Sequence, residues 1–433
     1  GQAGRTPDEG WGRLARTVMR RAPFFAIGTT AVLLALGVPF LGVRFGSVDD
    51  RQLPSDAESH LVQQDIRERF PGSPGDAIEV LAKGTAATSG REMADYARQL
   101  SELPGVVRVE SPAGTFTEGG LSLPPGPADA QRIAPQGGIA YLTVLPKGEA
   151  YDSGAQELVR EIRAVDAPFE AMVTGAPAVL VDIKDTMGER LPAAAVIIAI
   201  STLALVFLLT GSVLIPLQAV VLNALSLTAM FGAVVWVFQD GHLSGLLGFT
   251  ATGSIETTLP VLMFCVAFGL SMDYGVFLLS RIKEEYDHTG DHVGAVVFGV
   301  QRTGGLITAA AVILAVVLAA IGTSRVSNTK MLGLGVALAV LMDAMVVRGL
   351  LVPAVMRLTG KATWWAPRPL RWLHVRIGLS EGESADRHSD PGTGGRGTGG
   401  RAGSGHDDPS DPGVHREPAS GTAAFGEGTG HDG

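Results

Sequence analysis

Residues 258 to 281 read Thr-Leu-Pro-Val-Leu-Met-Phe-Cys-Val-Ala-Phe-Gly-Leu-Ser-Met-Asp-Tyr-Gly-Val-Phe-Leu-Leu-Ser-Arg. The run is long enough to cross a bilayer, because about 20 helical residues span the roughly 30 Å hydrocarbon core. A single carboxylate, Asp273, interrupts it. A charged Asp at mid-depth costs about 2.5 to 3.5 kcal/mol on insertion scales, so it is tolerated only where it is shielded, paired or protonated. Asp273 is therefore the first candidate for function.

The composition of the whole chain is that of a membrane protein. Of its 433 residues, 46% are hydrophobic and only 18% are charged. Basic residues are scattered or flank apolar runs, which argues against nucleic-acid binding. The only cysteine, Cys265, excludes a disulfide within the chain, and we interpret it as a packing thiol. No GxxxxGK[ST] string occurs, so direct ATP hydrolysis by this chain is not expected.

Hydropathy divides the chain into five segments around six spanning helices. Four arginines lie just before the first apolar run, and they place the N-terminus in the cytoplasm. Six spans then return the C-terminus to the same side. The predicted segments are 1–21 (cytoplasmic, basic), 22–43 (first transmembrane helix), 44–190 (exported α+β porter domain), 191–357 (five-helix transmembrane domain) and 358–433 (cytoplasmic).

Within the five-helix domain, the spans are expected at 192–210, 213–238, 258–281, 304–324 and 331–357. The cytoplasmic segment 281–303 is predicted to lie as an interfacial helix. From about residue 378 the chain is rich in Gly, Ser, Asp, Arg and His without apolar periodicity. Such a composition cannot bury a core, so this tail is predicted to be disordered.

Alternating strand and helix patterns indicate a small α+β layer structure of the split βαβ type between residues 44 and 190. No Cys/His metal spacing and no nucleophile motif occurs there, which favours a binding or gating domain. The expected strands are 77–83, 105–109, 139–146 and 169–174, and the expected helices are 57–70, 91–103 and 152–164.

Four segments resemble the MMPL branch of the RND transporters in order and spacing. The most specific is Gly-Leu-Ser-Met-Asp-Tyr-Gly-Val-Phe-Leu-Leu-Ser-Arg at 269–281. The others are Thr-Gly-Gly-Leu-Ile-Thr-Ala-Ala-Ala at 303–311, the Gly-rich run 333–356 that contains Asp343, and Trp-Trp-Ala-Pro-Arg-Pro-Leu at 364–370. The resemblance covers about 44–371 and matches the C-terminal half of the two-half exporters of this branch.

The resemblance implies that Asp273 and Tyr274 form half of a proton relay. Asp343 lies five residues before Arg348, near enough for an indirect ion pair toward the cytoplasmic side. Asn223 is interpreted as an interhelical hydrogen-bonding residue. Ser271 and Thr308, like Thr303, are candidates for supporting hydrogen bonds.

By resemblance, the chain is expected to be no enzyme but a secondary active transporter that exports a lipid or hydrophobic metabolite across the plasma membrane. A proton gradient would drive it without a cofactor or metal. Its partner would be a missing N-terminal half or a second copy, since a second Asp-Tyr string is absent from this sequence. Two alternatives remain open: a sterol-sensing-like lipid receptor, and a non-transporting scaffold for cell-envelope enzymes. Loss of Asp273 would be tolerated by the scaffold.

Overall fold

Six helices in the computed structural model are long and apolar enough to cross a membrane, as the sequence predicts. The structure describes residues 9–47, 49–69, 74–84, 90–135, 138–370 and 372. The tail predicted to be disordered lies outside these residues. The six candidate spans are Ala22–Gly42, Ala176–Thr210, Leu214–Gln239, Leu259–Thr289, His292–Ile321 and Ser327–Trp364.

An amphipathic helix that the sequence analysis did not predict precedes the first span. Helix α1 (Glu9–Arg20) buries Ala15, Val18 and Met19 and turns its arginines outward. Its Trp11 packs against Gly304, where an added Cβ would lie 2.7 Å from the indole ring. Helix α2 (Ala22–Gly37) follows directly and continues as a 3₁₀ turn over Val38–Gly42.

The α+β domain follows the first span. Its elements are β1 (Phe45–Gly46), α3 (Glu58–Arg69), β2 (Ile78–Lys83), α4 (Gly90–Ser101), β3 (Val106–Ser111), β4 (Gly114–Thr117), β5 (Gly120–Leu123), α5 (Pro127–Ala130), β6 (Ile139–Pro146), α6 (Ser153–Ala164) and β7 (Glu170–Gly175). The structure thus has strands and helices at the positions where the sequence predicts them. The β4–β5 hairpin was not predicted.

The sheet order is β5-β4-β3-β6-β2-β7, and every neighbouring pair is antiparallel. Strand β2 lies between β6 and β7, so two βα units interleave as a split βαβ arrangement. Ile78, Val80 and Ala82 alternate with less buried residues, which gives the sheet one covered face. Helices α4 and α6 cover that face with side chains such as Tyr96 and Ile162.

The remaining elements form the bundle. They are α7 (Ala176–Thr210), α8 (Leu214–Val234) with a π-helical turn at Val235–Gln239, α9 (Ser244–Leu247), β8 (Ile255–Glu256), α10 (Leu259–Thr289), α11 (His292–Ile321), α12 (Ser327–Met342), a π-helical segment at Asp343–Leu351 and α13 (Val352–Thr359). Helix α7 starts directly after β7 and runs without a break into the bundle, as expected from the sequence.

The predicted interfacial helix at 281–303 is wrong. Helices α10 and α11 both extend past the apolar core and meet at a turn formed by Gly290 and Asp291. Gly290 adopts a left-handed conformation with φ of 68°, which ends α10 at low cost. The Asp291 carboxylate accepts a hydrogen bond from the Val293 N–H at 3.0 Å and begins α11. Local capping therefore joins the two spans as a helical hairpin.

Three connections hold the α+β domain against one end of the bundle. Helix α7 is shared by both. Strand β1 pairs with β8 in parallel, with Phe45 opposite Ile255. The Arg325 guanidinium, in the loop between α11 and α12, forms an ion pair with Asp56 at 2.6 Å and lowers the pKa of that carboxyl.

Close packing of α2 on α8 generates the first prediction. Gly232 lies against the Leu36 carbonyl and Gly37 Cα, so the obstacle to a side chain is backbone. We expect Gly232→Ala to lower the melting temperature of the detergent-solubilised protein, because overpacking costs about 1–3 kcal/mol.

The matched control is Gly28→Ala on α2, where an added Cβ meets nothing within 4 Å. That variant should melt at or above the temperature of the parent protein, because Ala is the better helix former. Equal melting temperatures for the two variants would contradict the close approach of α2 to α8.

Candidate functional site

Capping at both ends defines where α10, the helix that carries Asp273, begins and ends. The Glu256 carboxylate accepts hydrogen bonds from the N–H groups of Thr258 at 3.0 Å and Leu259 at 2.9 Å. These contacts satisfy donors that a helix start leaves free. Pro260 occupies the first turn, where its missing N–H has no cost. Asp273 lies 14 residues after Leu259, or about 21 Å along the axis at 1.5 Å per residue.

Asp273 lies on a face of α10 that the described part of the protein leaves uncovered. Its exposed neighbours recur at helical spacing. They are Leu262, Cys265, Val266 and Gly269. In an apolar 18-residue stretch of α10 only 17% is buried, whereas 67% of the corresponding stretch of the last span is buried. Cys265 is exposed on this same face, so the packing predicted for its thiol is not formed within the described part of the chain.

Tyr274 points toward the interior of the bundle, although it is the next residue. Its ring is half-buried, and the Arg348 Cζ atom lies 5.7 Å from the ring centre. This distance is within the range of a cation–π contact, which extends to about 6 Å. Successive helical side chains point about 100° apart, since 3.6 residues complete one turn. The Asp-Tyr pair therefore presents its acid outward and its phenol to a buried arginine.

Arg348 forms a direct, buried ion pair with Asp343. The guanidinium Nε lies 2.8 Å from the Asp343 carboxylate, and both side chains are less than a tenth exposed. The sequence analysis expected only an indirect pair, because five residues on an α-helix are separated by about 140° of rotation. The segment Asp343–Leu351 is π-helical, with hydrogen bonds to the fifth residue along. That geometry brings the two side chains onto one face.

The same guanidinium reaches across to α10. Its Nη2 donates a hydrogen bond to the Ser271 carbonyl and lies 3.5 Å from the Ser271 hydroxyl. Gly275, one turn later, also faces the guanidinium, since an added Cβ would lie in ordinary contact with Nη2 at 3.5 Å. Arg348 therefore connects the last span to the helix that carries the acid.

A cavity lies beside this ion pair, between α7, α8, α10 and the last span. Its polar lining residues are Gln218, Asn223, Ser271, Asp343 and Arg348, and the rest of its wall is apolar. Asn223 is only 4% exposed, yet both polar atoms of its amide have no partner among the described residues. The interhelical hydrogen bond expected of Asn223 is therefore not formed to any described side chain or backbone group. Arg348 Nη1 is also unpaired there.

The structure thus groups three of the four supporting candidates, Ser271, Asn223 and Asp343, around Arg348. Thr308 lies outside this cavity, and its buried hydroxyl has no partner within the described ranges. Thr303 donates to the Gly299 carbonyl of its own helix at 2.8 Å. No group of three or more His, Cys, Asp and Glu side chains that could hold a metal occurs in the described residues.

Arg348 is the central residue that the sequence analysis undervalued. The sequence analysis considered Arg348 only as a partner of Asp343. A lone arginine within an apolar span is itself a signal, because such a charge is costly and persists where it has partners. The contacts of Arg348 with Ser271 and Tyr274 span more than 70 positions of sequence, so periodicity did not reveal them.

The buried pair generates the second prediction. We expect Arg348→Met to lower the melting temperature strongly, because removing one partner of a buried pair costs about 3–5 kcal/mol. The double variant Asp343→Leu with Arg348→Met should recover much of that loss, since no charge is then left unpaired. Thermal unfolding in detergent measures both.

The exposed pair of Asp56 and Arg325 supplies the control. Arg325→Met should leave the melting temperature almost unchanged, because water screens that pair. A double variant of the buried pair that melts as low as Arg348→Met would show that the two charges do not act as a unit.

Comparison with known proteins gives one family over most of the chain. The profile of the MMPL family matches residues 51–377. A membrane protein of Streptomyces coelicolor is 38% identical over 389 residues, which are 87% of this chain and 50% of the relative. The trehalose monomycolate exporter MmpL3 of Mycobacterium tuberculosis is 32% identical over 89% of this chain and 40% of its own length.

A third relative has a different named role. The heme uptake protein MmpL11 of Mycobacterium tuberculosis is 30% identical over 84% of this chain and 36% of its own length. The chain therefore spans half or less of the length of each of these relatives.

Proposed function

The chain belongs to the MMPL family, and on that premise we propose that it contributes to proton-driven export of a lipid or other hydrophobic metabolite. One observation carries the proposal. An acid at mid-span, Asp273, lies on an uncovered apolar face, while the adjacent Tyr274 contacts a buried arginine. An acid is costly at this depth, and its presence is explained if the carboxyl group gains and loses a proton.

The relatives support a hydrophobic cargo without identifying it. MmpL3 is named as an exporter of trehalose monomycolate, whereas MmpL11 is named for heme uptake. Both molecules have large apolar parts. Export is the direction we propose, following the name of MmpL3, which is 32% identical to this chain.

The mechanism begins with the charge of Asp273. When the carboxyl binds a proton it is neutral, and α10 can pack this face against another apolar helix. When the proton leaves, the carboxylate needs a hydrogen-bond donor or a cation, and a different packing of α10 is favoured. Tyr274, the next residue on α10, carries a hydroxyl that can act as such a donor. The proton gradient biases this choice between two packings.

The uncovered face of α10 also indicates a partner. An exposed carboxylate in hydrocarbon is unfavourable, so we propose that a further helical segment covers the face. Gly269 lies one turn before Asp273 and has open space around it, which permits close approach. The partner is either another half of the same polypeptide or a second copy of this chain. In both cases a second acid-bearing helix can face Asp273.

We propose that both termini of the chain lie in the cytoplasm and that the α+β domain, residues 44–190, lies outside as a porter-like domain. Helix α1, with its outward arginines, packs against α11 and α13 at the end of the bundle opposite to that domain. Arg281, Lys283 and Arg302 lie toward the same end. This distribution follows the positive-inside rule.

Energetics restrict what the proton can do. One charge crossing 100 mV supplies about 2.3 kcal/mol, whereas each acyl CH₂ moved into water costs about 0.8 kcal/mol. A lipid with about a dozen exposed methylenes would need several protons if it crossed bulk water. We therefore propose that the cargo follows an apolar route through the α+β domain. The proton drives the conformational change only.

The third prediction tests the relay through export. Asp273→Asn should abolish export of the cargo, because an amide cannot carry a proton through the cycle. The measurement compares surface-exposed lipids and secreted apolar metabolites, by mass spectrometry, between a deletion strain complemented with parent gene and one complemented with the variant.

The matched control is Asp287→Asn, an exposed acid on the same helix that pairs with Lys283. It should export like the parent protein. Both variants should insert and melt like the parent protein, which separates lost function from lost fold. Normal export by Asp273→Asn would remove the relay from the proposal.

The fourth prediction tests the proton directly. A hydrophobic carbodiimide reacts with protonated carboxyl groups in apolar surroundings, so it should modify Asp273 in membranes. Peptide mass spectrometry should show the adduct on the peptide that contains Asp273. Asp343 should stay unmodified, because its side chain is buried against Arg348 and less than a tenth exposed. Modification of Asp343 instead of Asp273 would assign the proton to the other acid.

A further inference from the structure

The cavity beside the Asp343–Arg348 pair contains more unsatisfied polar atoms than a dry apolar pocket can hold. The Asn223 amide and Arg348 Nη1 are buried, line this cavity and lack partners among the described residues. Leaving a buried polar atom unpaired costs about 1–3 kcal/mol. Three such atoms at one cavity therefore require a ligand that can hydrogen-bond to all of them.

We propose that this cavity binds a small cluster of water molecules, and that the cluster connects the Arg348 network to the aqueous phase at the end of the bundle where α8 begins. The space open to the centres of water molecules is about 50 Å³. At about 10–15 Å³ for each water, it holds roughly three to five. This inference rests on the proposed function only for its role, which is to provide one branch of the proton route.

The chemistry of the lining selects water over other small ligands. Asn223 offers both a donor and an acceptor, and Arg348 Nη1 offers a donor. Water can satisfy each of them, since it donates and accepts. An anion is disfavoured because Asp343, 2.8 Å away, already balances the charge of Arg348. An acyl chain would fit the apolar wall but would leave all three polar atoms unpaired.

The position of the cavity gives the direction of access. Its lining includes Ile215 on the first turn of α8 and Met356 on the last turn of α13. Gln218 donates to the Thr359 hydroxyl at 3.2 Å between these two helices. The cavity thus extends from Asn223, near the middle of α8, toward that end. Asp273 does not line this cavity, although its neighbours Met272 and Val276 do.

Thiol accessibility tests the proposal without any transport assay. The single native cysteine makes Cys265→Ala a cysteine-free background for the full chain. Ala219→Cys then places a thiol on the cavity wall. Leu217→Cys and Val221→Cys place thiols two residues to either side on the same helix, at positions 48% and 55% exposed on its outer surface. One control position lies before Ala219 and the other lies after it along the helix axis, so their depths in the bilayer lie on either side of that of Ala219.

The probe is 2-aminoethyl methanethiosulfonate added to the protein in vesicles, with the modified fraction followed by mass spectrometry. Only the thiolate reacts, and apolar surroundings suppress it, so a hydrated thiol should react at least about tenfold faster than a lipid-facing one. We expect Ala219→Cys to react faster than both controls. Rates equal to theirs would show a dry cavity and overturn the proposal.

A second variant tests the role of Asn223. Asn223→Leu, added to the Ala219→Cys protein, keeps a similar volume but removes both polar atoms. We expect its modification rate to fall toward that of the controls, and an unchanged rate would show that Asn223 does not hold the water. If this variant fails to fold, the comparison of the three single-cysteine proteins still decides whether the cavity is wet. Failure of the relay would appear as normal export by Asp273→Asn, whereas failure of the water site would appear in these labelling rates.

Discussion

A guanidinium buried in an apolar bundle is the constraint on which the site depends. Arg348 cannot lie there alone, because an unpaired charge in a low-dielectric interior is costly. It is held by the Asp343 carboxylate, the Ser271 carbonyl and the face of Tyr274. These three contacts come from two different helices. The electrostatic requirement of one side chain therefore fixes how the last span packs on α10.

That fixed packing gives the two sides of α10 different environments. The side with Ser271 and Tyr274 contacts a charged, hydrogen-bonded network. The side with Asp273 is apolar and uncovered. The acid and the buried network therefore lie on different sides of one helix. The α+β domain is connected to this helix, because β1 pairs with β8 and α10 begins three residues after that strand.

The sequence predicted features that depend on local composition, and it missed features that depend on turn geometry or on packing between helices. The spans were predictable, because twenty apolar residues have few alternatives to a helix in a bilayer. The supposed interfacial helix at 281–303 was wrong, because the turn depends on the left-handed Gly290 and the cap at Asp291. The exposure of Cys265 was also missed, since hydropathy does not say which face of an apolar helix is covered.

The sequence by itself determined the six spans, the split βαβ pattern and the resemblance to a family. Each of these depends on local composition or on spacing along one element. Only the tertiary structure decided that Asp343 and Arg348 pair directly, that Arg348 reaches Ser271, and that Asn223 faces a cavity. Those facts depend on the π-helical segment and on contacts between residues distant in the chain. The physical reason is that a buried charge selects its partners in three dimensions, where sequence separation has no influence.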